Sequence, residues 1–157
     1  MSVSKMLPPE HILVGVDWQS KKRAFEQVSI IFENSAGIAR DKVFSALMQR
    51  ERLGSTSIGN GGAIPHGCLE GAKEPLCALV VLSKPIQYGI GDDGGAVRNM
   101  FFLIAPSNSD ETHLHLLGAF SQMLSDTPLM DDLSQCSDSK AAAERLAQWE
   151  TAQFAGA

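Results

Sequence analysis

The residue whose surroundings best suit chemistry is His66, which follows the short segment Ala63-Ile64-Pro65 and precedes Gly67. Proline fixes the backbone ahead of the imidazole, and glycine behind it leaves backbone N–H groups open to an anion. A neutral imidazole, whose ordinary pKa is about 6.5, has a free lone pair near neutral pH and can accept a phosphoryl group without a separate base. His66 is therefore a candidate nucleophile, although a lone histidine is more often a surface or core residue.

The glycine-rich stretch at residues 54–67, GSTSIGNGGAIPHG, excludes several familiar sites. It lacks the Gly-Lys-Ser/Thr ending of a nucleotide-binding P-loop, and its glycines do not follow the Gly-x-Gly-x-x-Gly spacing of a dinucleotide site. It contains no Gly-x-Ser-x-Gly nucleophile elbow, so a hydrolase has no motif here. Its composition predicts exposed backbone rather than a packed element.

A second histidine comes from a predicted helix over residues 110–125. At about 100° per residue, His113 falls on the apolar side of that helix, whereas His115 falls nearly opposite. The apolar residues on the side of His113 are Leu117, Phe120 and Leu124. His113 could therefore approach the nucleophile at a sheet edge, or it could simply satisfy a local hydrogen bond.

Arg50 lies on the core-side stripe of a predicted helix that ends just before the glycine-rich stretch. A guanidinium is always charged, and its planar fork of donors suits a phosphoryl group with nearly two negative charges. The same side chain could instead pack along its stem and pair its head with an acid such as Glu51. Residue type alone favours that second interpretation.

The elements that carry these residues alternate between strands and helices. Short apolar runs predict strands at residues 11–16, 76–83 and 99–105. Helical spacing predicts helices from Ser20 to a stop at 34–37, around 43–50, from Ser109 or Asp110 to 125, and from 137 to 154. The strands at 76–83 and 99–105 are apolar enough to be central, and the segment 89–95 predicts a loop. This alternation predicts an α/β domain with helices on both faces of the sheet.

Composition limits the class of protein further. A chain of 157 residues has room for one domain, and 44% hydrophobic with 20% charged residues is an ordinary globular mixture. The net charge of -5 opposes binding to nucleic acid. No apolar run approaches the about 20 residues of a membrane span, and no secretory signal opens the chain, so we expect a cytoplasmic protein without membrane insertion. Three cysteines without Cys-x-x-Cys spacing suggest neither a disulfide framework nor a zinc site.

Two blocks of the sequence resemble a known family. Residues 50–67, RERLGSTSIGNGGAIPHG, are similar to the active-site signature of the fructose/mannitol-type enzyme IIA domains of the bacterial phosphotransferase system. Pro106 and the later THLHLL at 112–117 resemble the segment that carries the second histidine of that family. The chain is most similar to the nitrogen-branch members, which are regulatory and usually not fused to a sugar permease. The resemblance implies one enzyme IIA-type domain over residues 1–157, with a mixed sheet of about five strands between helices.

The resemblance also implies roles for individual residues. His66 would accept the phosphoryl group, His113 would help to position it, and Arg50 would bind the phosphorylated form. The loop that positions the phosphoryl group would include Ser55, Thr56, Gly61 and Gly67. The donor would be an HPr-like phosphocarrier protein, with no metal or organic cofactor, and the regulated targets would be proteins such as a sensor kinase or an ion transporter. The alternative is a non-catalytic binding module of the same fold that regulates such a target stoichiometrically.

Three positions depart from the pattern of that family. Ser57 stands where relatives commonly have glycine, and Gly62 stands where they usually have an aliphatic residue. Gly62 should therefore remove a side chain that packs beneath the active loop. Tyr88-Gly89 replaces a Phe-Asp/Gly pattern that relatives often show, which bears on the choice of partner rather than on phosphoryl chemistry.

Overall fold

A computed structural model describes residues 2–89, 95–108 and 111–155 of the chain. Two short 3-10 turns, Ser4–Met6 and Pro9–His11, precede the first strand. The strands are β1 (Ile12–Val16), β2 (Ser57–Gly59), β3 (Gly62–Ala63), β4 (His66–Leu69), β5 (Leu76–Gln87) and β6 (Ala96–Pro106). The helices are α1 (Lys21–Ala36), α2 (Arg40–Glu51), α3 (Glu111–Ser125), α4 (Thr127–Ser134) and α5 (Ser139–Ala155).

The strands form one mixed sheet in the order β1-β5-β6-β3-β2, and β4 also pairs with β6. β1 runs parallel to β5, β5 antiparallel to β6, and both β3 and β4 parallel to β6. β3 and β4 follow each other along one edge of β6, because Gly62 lies opposite Asn99 and His66 lies opposite Leu103. The predicted mixed sheet of about five strands is confirmed, with two short strands sharing one position.

Helices cover both faces of this sheet, as predicted. On one face α1 and α2 bury a core around Phe25, Phe32 and Leu47. On the other face α3, α4 and α5 bury a second core around Phe120, Leu133 and Leu146. β5 and β6 are buried along most of their length, which confirms them as the central strands. No helix in the described ranges has the length and apolar character needed to cross a membrane.

Local signals set the ends of α1. The hydroxyl of Ser20 accepts a hydrogen bond from the backbone N–H of Arg23, as an N-cap residue does. Gly37 ends the helix in the left-handed region with φ of +73°, where an L side chain would be strained. Both ends agree with the predicted helix.

One helix was missing from the sequence interpretation. α4 occupies residues 127–134, between the predicted helices that end at 125 and begin at 137. Asp126 caps this helix by accepting from the N–H of Leu129, and Pro128 lies in its first turn, where a missing N–H costs nothing. The predicted caps Ser109 and Asp110, and residues 90–94 of the predicted loop, lie outside the described residues.

The glycine-rich stretch is not a single exposed loop. β2 and β3 form an antiparallel hairpin across Asn60 and Gly61, whose φ angles are +53° and +77°. Two consecutive positive φ angles characterise the tight hairpin turn that an Asn-Gly pair favours, and that pair was the signal available in the sequence. His66 is the first residue of β4.

Candidate active site

His66 projects from β4 toward the face covered by α3. Paired residues of neighbouring strands share a face of the sheet, and its partner Leu103 belongs to the core under α3. The half-buried His66 ring places Nδ1 2.8 Å from the carbonyl oxygen of Ile64. Because a carbonyl oxygen only accepts, Nδ1 must carry the proton in this bond. In the neutral ring, Nε2 therefore holds the free lone pair.

The surroundings of His66 favour its uncharged form. Burial lowers the pKa of this imidazole below its ordinary value of 6.5, and the hydrogen bond to Ile64 opposes that effect. The positive charges of Arg50 and His113 lower the pKa further, whereas the negative charge of Glu51 raises it. Because the net shift is downward, the ring is neutral at pH 7 and its Nε2 can act as a nucleophile.

His113 meets His66 edge to face. The two ring centroids are 5.7 Å apart and the ring planes are inclined by 79°. The helix that carries His113 is held on the sheet by Phe120, whose ring stacks on that of Phe101 at 4.6 Å. His115 is exposed, so the predicted separation of the two histidines onto opposite sides of α3 is confirmed.

Arg50 lies in the last turn of α2 and binds the chain just beyond the helix. Its Nη1 donates to the carbonyl oxygen of Gly54 at 2.9 Å. The alternative in which Arg50 pairs with Glu51 is therefore wrong, because the Glu51 carboxylate faces a different set of donors. The Arg50 guanidinium remains close enough to His66 for its charge to lower the pKa of that ring.

Glu51 is a buried carboxylate that the sequence analysis named only as a possible ion-pair partner of Arg50. Its Oε1 accepts from the Thr56 hydroxyl at 2.6 Å, and its Oε2 accepts from the Thr56 backbone N–H at 3.2 Å. The Tyr88 hydroxyl lies 2.7 Å from Thr56 Oγ1 and 3.3 Å from Glu51 Oε1. Lys21 Nζ lies 3.4 Å from Glu51 Oε2, and it also lies over the Tyr88 ring. The available signal was a tyrosine where relatives have phenylalanine, because a buried tyrosine hydroxyl needs a partner.

The other residues of the predicted phosphoryl-positioning loop hold the backbone in place. Ser55 Oγ accepts from the N–H of Ser57, and the hydroxyl of Thr56 faces inward to Glu51. The carbonyl oxygen of Gly61 accepts from the N–H groups of Arg98 and Asn99 at 2.8 and 3.0 Å, which joins the hairpin turn to β6.

Two glycines in this region are explained by close packing. A Cβ on Gly67 would lie 2.7 Å from the carbonyl oxygen of Ala46, so glycine here lets β4 approach the backbone of α2. A Cβ on Gly62 would lie 3.1 Å from Cδ2 of Leu124. The space expected for an aliphatic residue at position 62 is therefore filled from α3 rather than left empty.

Within the described parts of the chain, no three His, Cys, Asp or Glu residues come close enough to hold a metal ion together. Cys68, Cys77 and Cys136 are unpaired thiols.

The chemistry that the site can support is nucleophilic attack by Nε2 of His66, with His113 and Arg50 as neighbouring donors.

Comparison with known proteins gives matches over most of the chain. A family model described as "Phosphoenolpyruvate-dependent sugar phosphotransferase system, EIIA 2" matches residues 5–149. The nitrogen regulatory protein of Pseudomonas aeruginosa is 36% identical over 132 residues, which are 83% of this chain and 85% of that relative.

Solved structures share the architecture. The nitrogen regulatory protein IIA-Ntr from Neisseria meningitidis has a TM-score of 0.83 at 31% identity and covers 92% of this chain and 98% of its own. Enzyme IIA for mannitol from Escherichia coli, solved in complex with phosphorylated enzyme IIB, has a TM-score of 0.72 at 20% identity, covering 90% and 96% of the two chains. At that identity the second likeness concerns the fold alone.

Proposed function

The chain belongs to the EIIA 2 family of the phosphoenolpyruvate-dependent sugar phosphotransferase system, and on that premise we propose that it is a phosphoryl-relay and regulatory protein. Residues 1–157 act as one enzyme IIA-type unit that accepts a phosphoryl group on His66 from an HPr-like phosphocarrier. The observation that supports this proposal best is the 2.8 Å contact between His66 Nδ1 and the Ile64 carbonyl oxygen, because it leaves the lone pair on Nε2 of a neutral ring.

The transfer moves one group between two imidazoles. Nε2 of His66 attacks the phosphorus of the carrier phosphohistidine, so one N–P bond forms while the N–P bond of the carrier breaks. The electron pair of the broken bond returns to the carrier imidazole. The transition state is loose, and its charge lies mainly on the three equatorial oxygens. Catalysis therefore depends on donors placed around those oxygens.

Two side chains next to His66 can supply such donors. The ring centroid of His113 lies 5.7 Å from that of His66, and a ring N–H of His113 can donate to a phosphoryl oxygen. Nη1 of Arg50 donates to the neutral carbonyl oxygen of Gly54. A phosphoryl dianion is a stronger acceptor than a carbonyl, so the guanidinium should turn part of its fork toward the phosphorylated ring.

Phosphorylation changes the surface that partner proteins meet. It adds about two negative charges at a half-buried imidazole, which alters the electrostatic complementarity with any partner that binds there. The names of the relatives support a regulatory role for that change. The mannitol IIA protein in complex with its phosphorylated IIB partner supports protein docking on this fold. The regulated target would be a protein such as a sensor kinase or an ion transporter.

Mass mapping after incubation with a phosphorylated HPr-like carrier tests the proposal. We expect an acid-labile gain of one phosphoryl group on the peptide that contains His66, and no gain in His66→Ala. His115→Ala serves as the matched control, because this exposed histidine lies on the far side of α3. Absence of labelling, or labelling elsewhere in the chain, contradicts the relay. If the unphosphorylated wild type, the phosphorylated wild type and His66→Ala all bind the regulated target equally well, phosphorylation does not control binding. The protein is then the alternative, a non-catalytic binding module.

A further inference from the structure

The Glu51 carboxylate is the centre of a buried polar cluster that joins two segments distant in sequence. Only 3% of its side chain is exposed. Thr56 and Lys21 donate to its oxygens, and the Tyr88 hydroxyl lies 3.3 Å from Oε1. A carboxylate out of water is stable only when its oxygens are satisfied, so these donors are a structural requirement rather than an accident of packing.

The hydrogen bonds in this cluster run in one direction. A carboxylate accepts only, so the Thr56 hydroxyl donates to Glu51 Oε1 at 2.6 Å. The oxygen of that hydroxyl is then free to accept from the Tyr88 O–H at 2.7 Å. Burial, together with the charge of Glu51, raises the pKa of Tyr88, so the phenol keeps its proton and remains a donor. The resulting order is Tyr88 to Thr56 to Glu51.

The same threonine continues the connection toward the nucleophile through the backbone. The N–H of Thr56 donates to Glu51 Oε2 at 3.2 Å. The carbonyl oxygen of Thr56 accepts from the N–H of Ile64 at 3.0 Å. The carbonyl oxygen of Ile64 in turn accepts from Nδ1 of His66 at 2.8 Å. Each hydrogen bond in this connection has an ordinary length, and the covalent backbone of Thr56 and of Ile64 joins one hydrogen bond to the next.

We propose that Glu51 is a positioning residue for His66, acting through Thr56 and the backbone of Ile64. This inference depends on the proposed function, because it assigns a role within the same phosphoryl transfer. Glu51 fixes where the Thr56 peptide lies, Thr56 fixes the Ile64 peptide, and the Ile64 carbonyl selects the tautomer in which Nε2 is the nucleophile. Tyr88 donates to the Thr56 hydroxyl, and Lys21 Nζ lies 3.4 Å from Glu51 Oε2.

The Ile64 carbonyl controls the reactivity of His66 because it sets the tautomer of the ring. The tautomer of a neutral histidine is set by the partner of the nitrogen that carries the proton. If the Ile64 carbonyl shifts away, the proton can move to Nε2, and that nitrogen is then no longer a nucleophile. A small displacement of the reacting nitrogen also lowers the rate, because phosphoryl transfer needs an in-line approach.

The test compares variants that remove single groups from the cluster. Thr56→Val keeps the shape of the side chain but removes the hydroxyl, and Thr56→Ser keeps the hydroxyl. Glu51→Gln removes the charge. Tyr88→Phe is the mildest change, because it removes only the outermost hydroxyl. Glu70→Gln, an exposed acid beyond the end of β4, is the matched control for loss of one negative charge.

Two readouts separate positioning from a merely structural role. The ¹⁵N shifts of the His66 ring report the fraction of the Nδ1–H tautomer, and initial rates against phosphorylated carrier concentration separate kcat from KM. We expect Thr56→Val and Glu51→Gln to lower the Nδ1–H fraction and to lower kcat about tenfold with little change in KM. Thr56→Ser should recover most of both losses, and Glu70→Gln should match the wild type.

Each outcome bears on the proposal. Wild-type tautomer and kcat in folded Thr56→Val and Glu51→Gln would overturn it. If those two variants do not fold, Tyr88→Phe decides, since it must still lower the Nδ1–H fraction measurably for the proposal to stand. Failure of the wild type itself to accept a phosphoryl group contradicts the proposed function instead. The tautomer measurement needs no carrier, so the two failures are distinguishable.

Discussion

The rings of His66 and His113 meet edge to face, with centroids 5.7 Å apart. The two side chains come from β4 and α3, and the stack of Phe120 on Phe101 holds that helix on the sheet. The second ring therefore lies beside the first in a fixed orientation. A donor held in place costs no reorganisation when charge develops on the phosphoryl oxygens.

Replacing His113 should therefore slow transfer without unfolding the protein. We expect His113→Ala to lower the rate of phosphoryl acceptance about a hundredfold, the usual effect of removing one fixed donor. His115→Ala, two positions along the same helix but exposed, is the control and should keep the wild-type rate. Rapid-quench measurement of phosphorylated protein gives both rates. Equal rates in the two variants would show that His113 takes no part in the transfer.

The charge of Arg50 should be visible in the titration of His66. Because this positive charge contributes to lowering the pKa of His66, Arg50→Gln should raise that pKa. A higher pKa means that more of the ring is protonated at a given pH. As the pH is lowered, phosphoryl acceptance by Arg50→Gln should therefore begin to fall at a higher pH than in the wild type. NMR titration of the ring protons measures the shift directly.

Arg52→Gln is the matched control for that titration. Arg52 is exposed and does not contribute to the pKa shift of His66. The wild type and Arg52→Gln should both keep His66 neutral above pH 6.5, its ordinary pKa. A titration of His66 that responds equally to both substitutions would mean that the net charge of the protein matters and the position of Arg50 does not.

A side chain at position 67 should destabilise the protein, because a Cβ there would lie too close to the backbone of α2. The nearest atoms would be the carbonyl oxygen and carbonyl carbon of Ala46, at 2.7 and 2.9 Å. We expect Gly67→Ala to lower the free energy of unfolding by about 1–3 kcal/mol, the range for overpacking. Urea denaturation measures the change.

Gly118 is the matched control for that substitution. It is exposed on α3, and a Cβ there would meet no atom within 4 Å. Gly118→Ala should raise the free energy of unfolding by about 0.5–1 kcal/mol, because alanine loses less conformational entropy in a helix. A neutral Gly67→Ala would show that β4 and α2 can separate without cost.

The contacts of the Glu150 carboxylate with the N-terminal residues should make the free energy of unfolding depend on pH. It accepts from the hydroxyls of Ser2 and Ser4 at 2.7 and 2.8 Å and from the backbone N–H of Val3. Partial burial by itself would raise the pKa of Glu150, but these hydrogen bonds lower it below the ordinary 4.5. The stabilisation is therefore complete above pH 4.5 and is lost as the pH falls through the lowered value.

Comparison of urea unfolding at several pH values checks this sign. Glu150→Gln should be less stable than the wild type at pH 7, and the difference should shrink below pH 4.5, where the wild-type carboxylate takes up its proton. Glu144→Gln, an exposed acid on the same helix, should show no such difference. A gap between wild type and Glu150→Gln that stays constant down to pH 2 would contradict the role of the carboxylate.

The parts of the fold that sequence predicted are those set by neighbouring residues. Ser20 and Gly37 mark the ends of α1 because a cap acts within one helical turn. The position of His113 opposite His115 follows from helical periodicity alone. α4 was missed because Pro128 can either end an element or begin a helix, and only the cap from Asp126 decides between them.

The parts that sequence could not predict depend on contacts between distant segments. Glu51 and Tyr88 are 37 positions apart, and nothing local to either residue shows that they share Thr56. The hairpin of β2 and β3 was not predicted, because the glycine content of this stretch favours an exposed loop. Its Asn-Gly pair, by contrast, favours a tight hairpin turn. Gly62 was expected to leave a gap beneath the active loop, but Leu124 of α3 fills that space.

The central claim is that Nε2 of a neutral His66 ring accepts the phosphoryl group. Heteronuclear ¹H, ¹⁵N and ³¹P NMR of the ¹⁵N-histidine-labelled protein, phosphorylated by the carrier, identifies the ring nitrogen that is bonded to phosphorus. We expect coupling to Nε2 of His66, with the proton retained on Nδ1. Phosphorus on Nδ1 of His66, or on any other residue, would contradict this account.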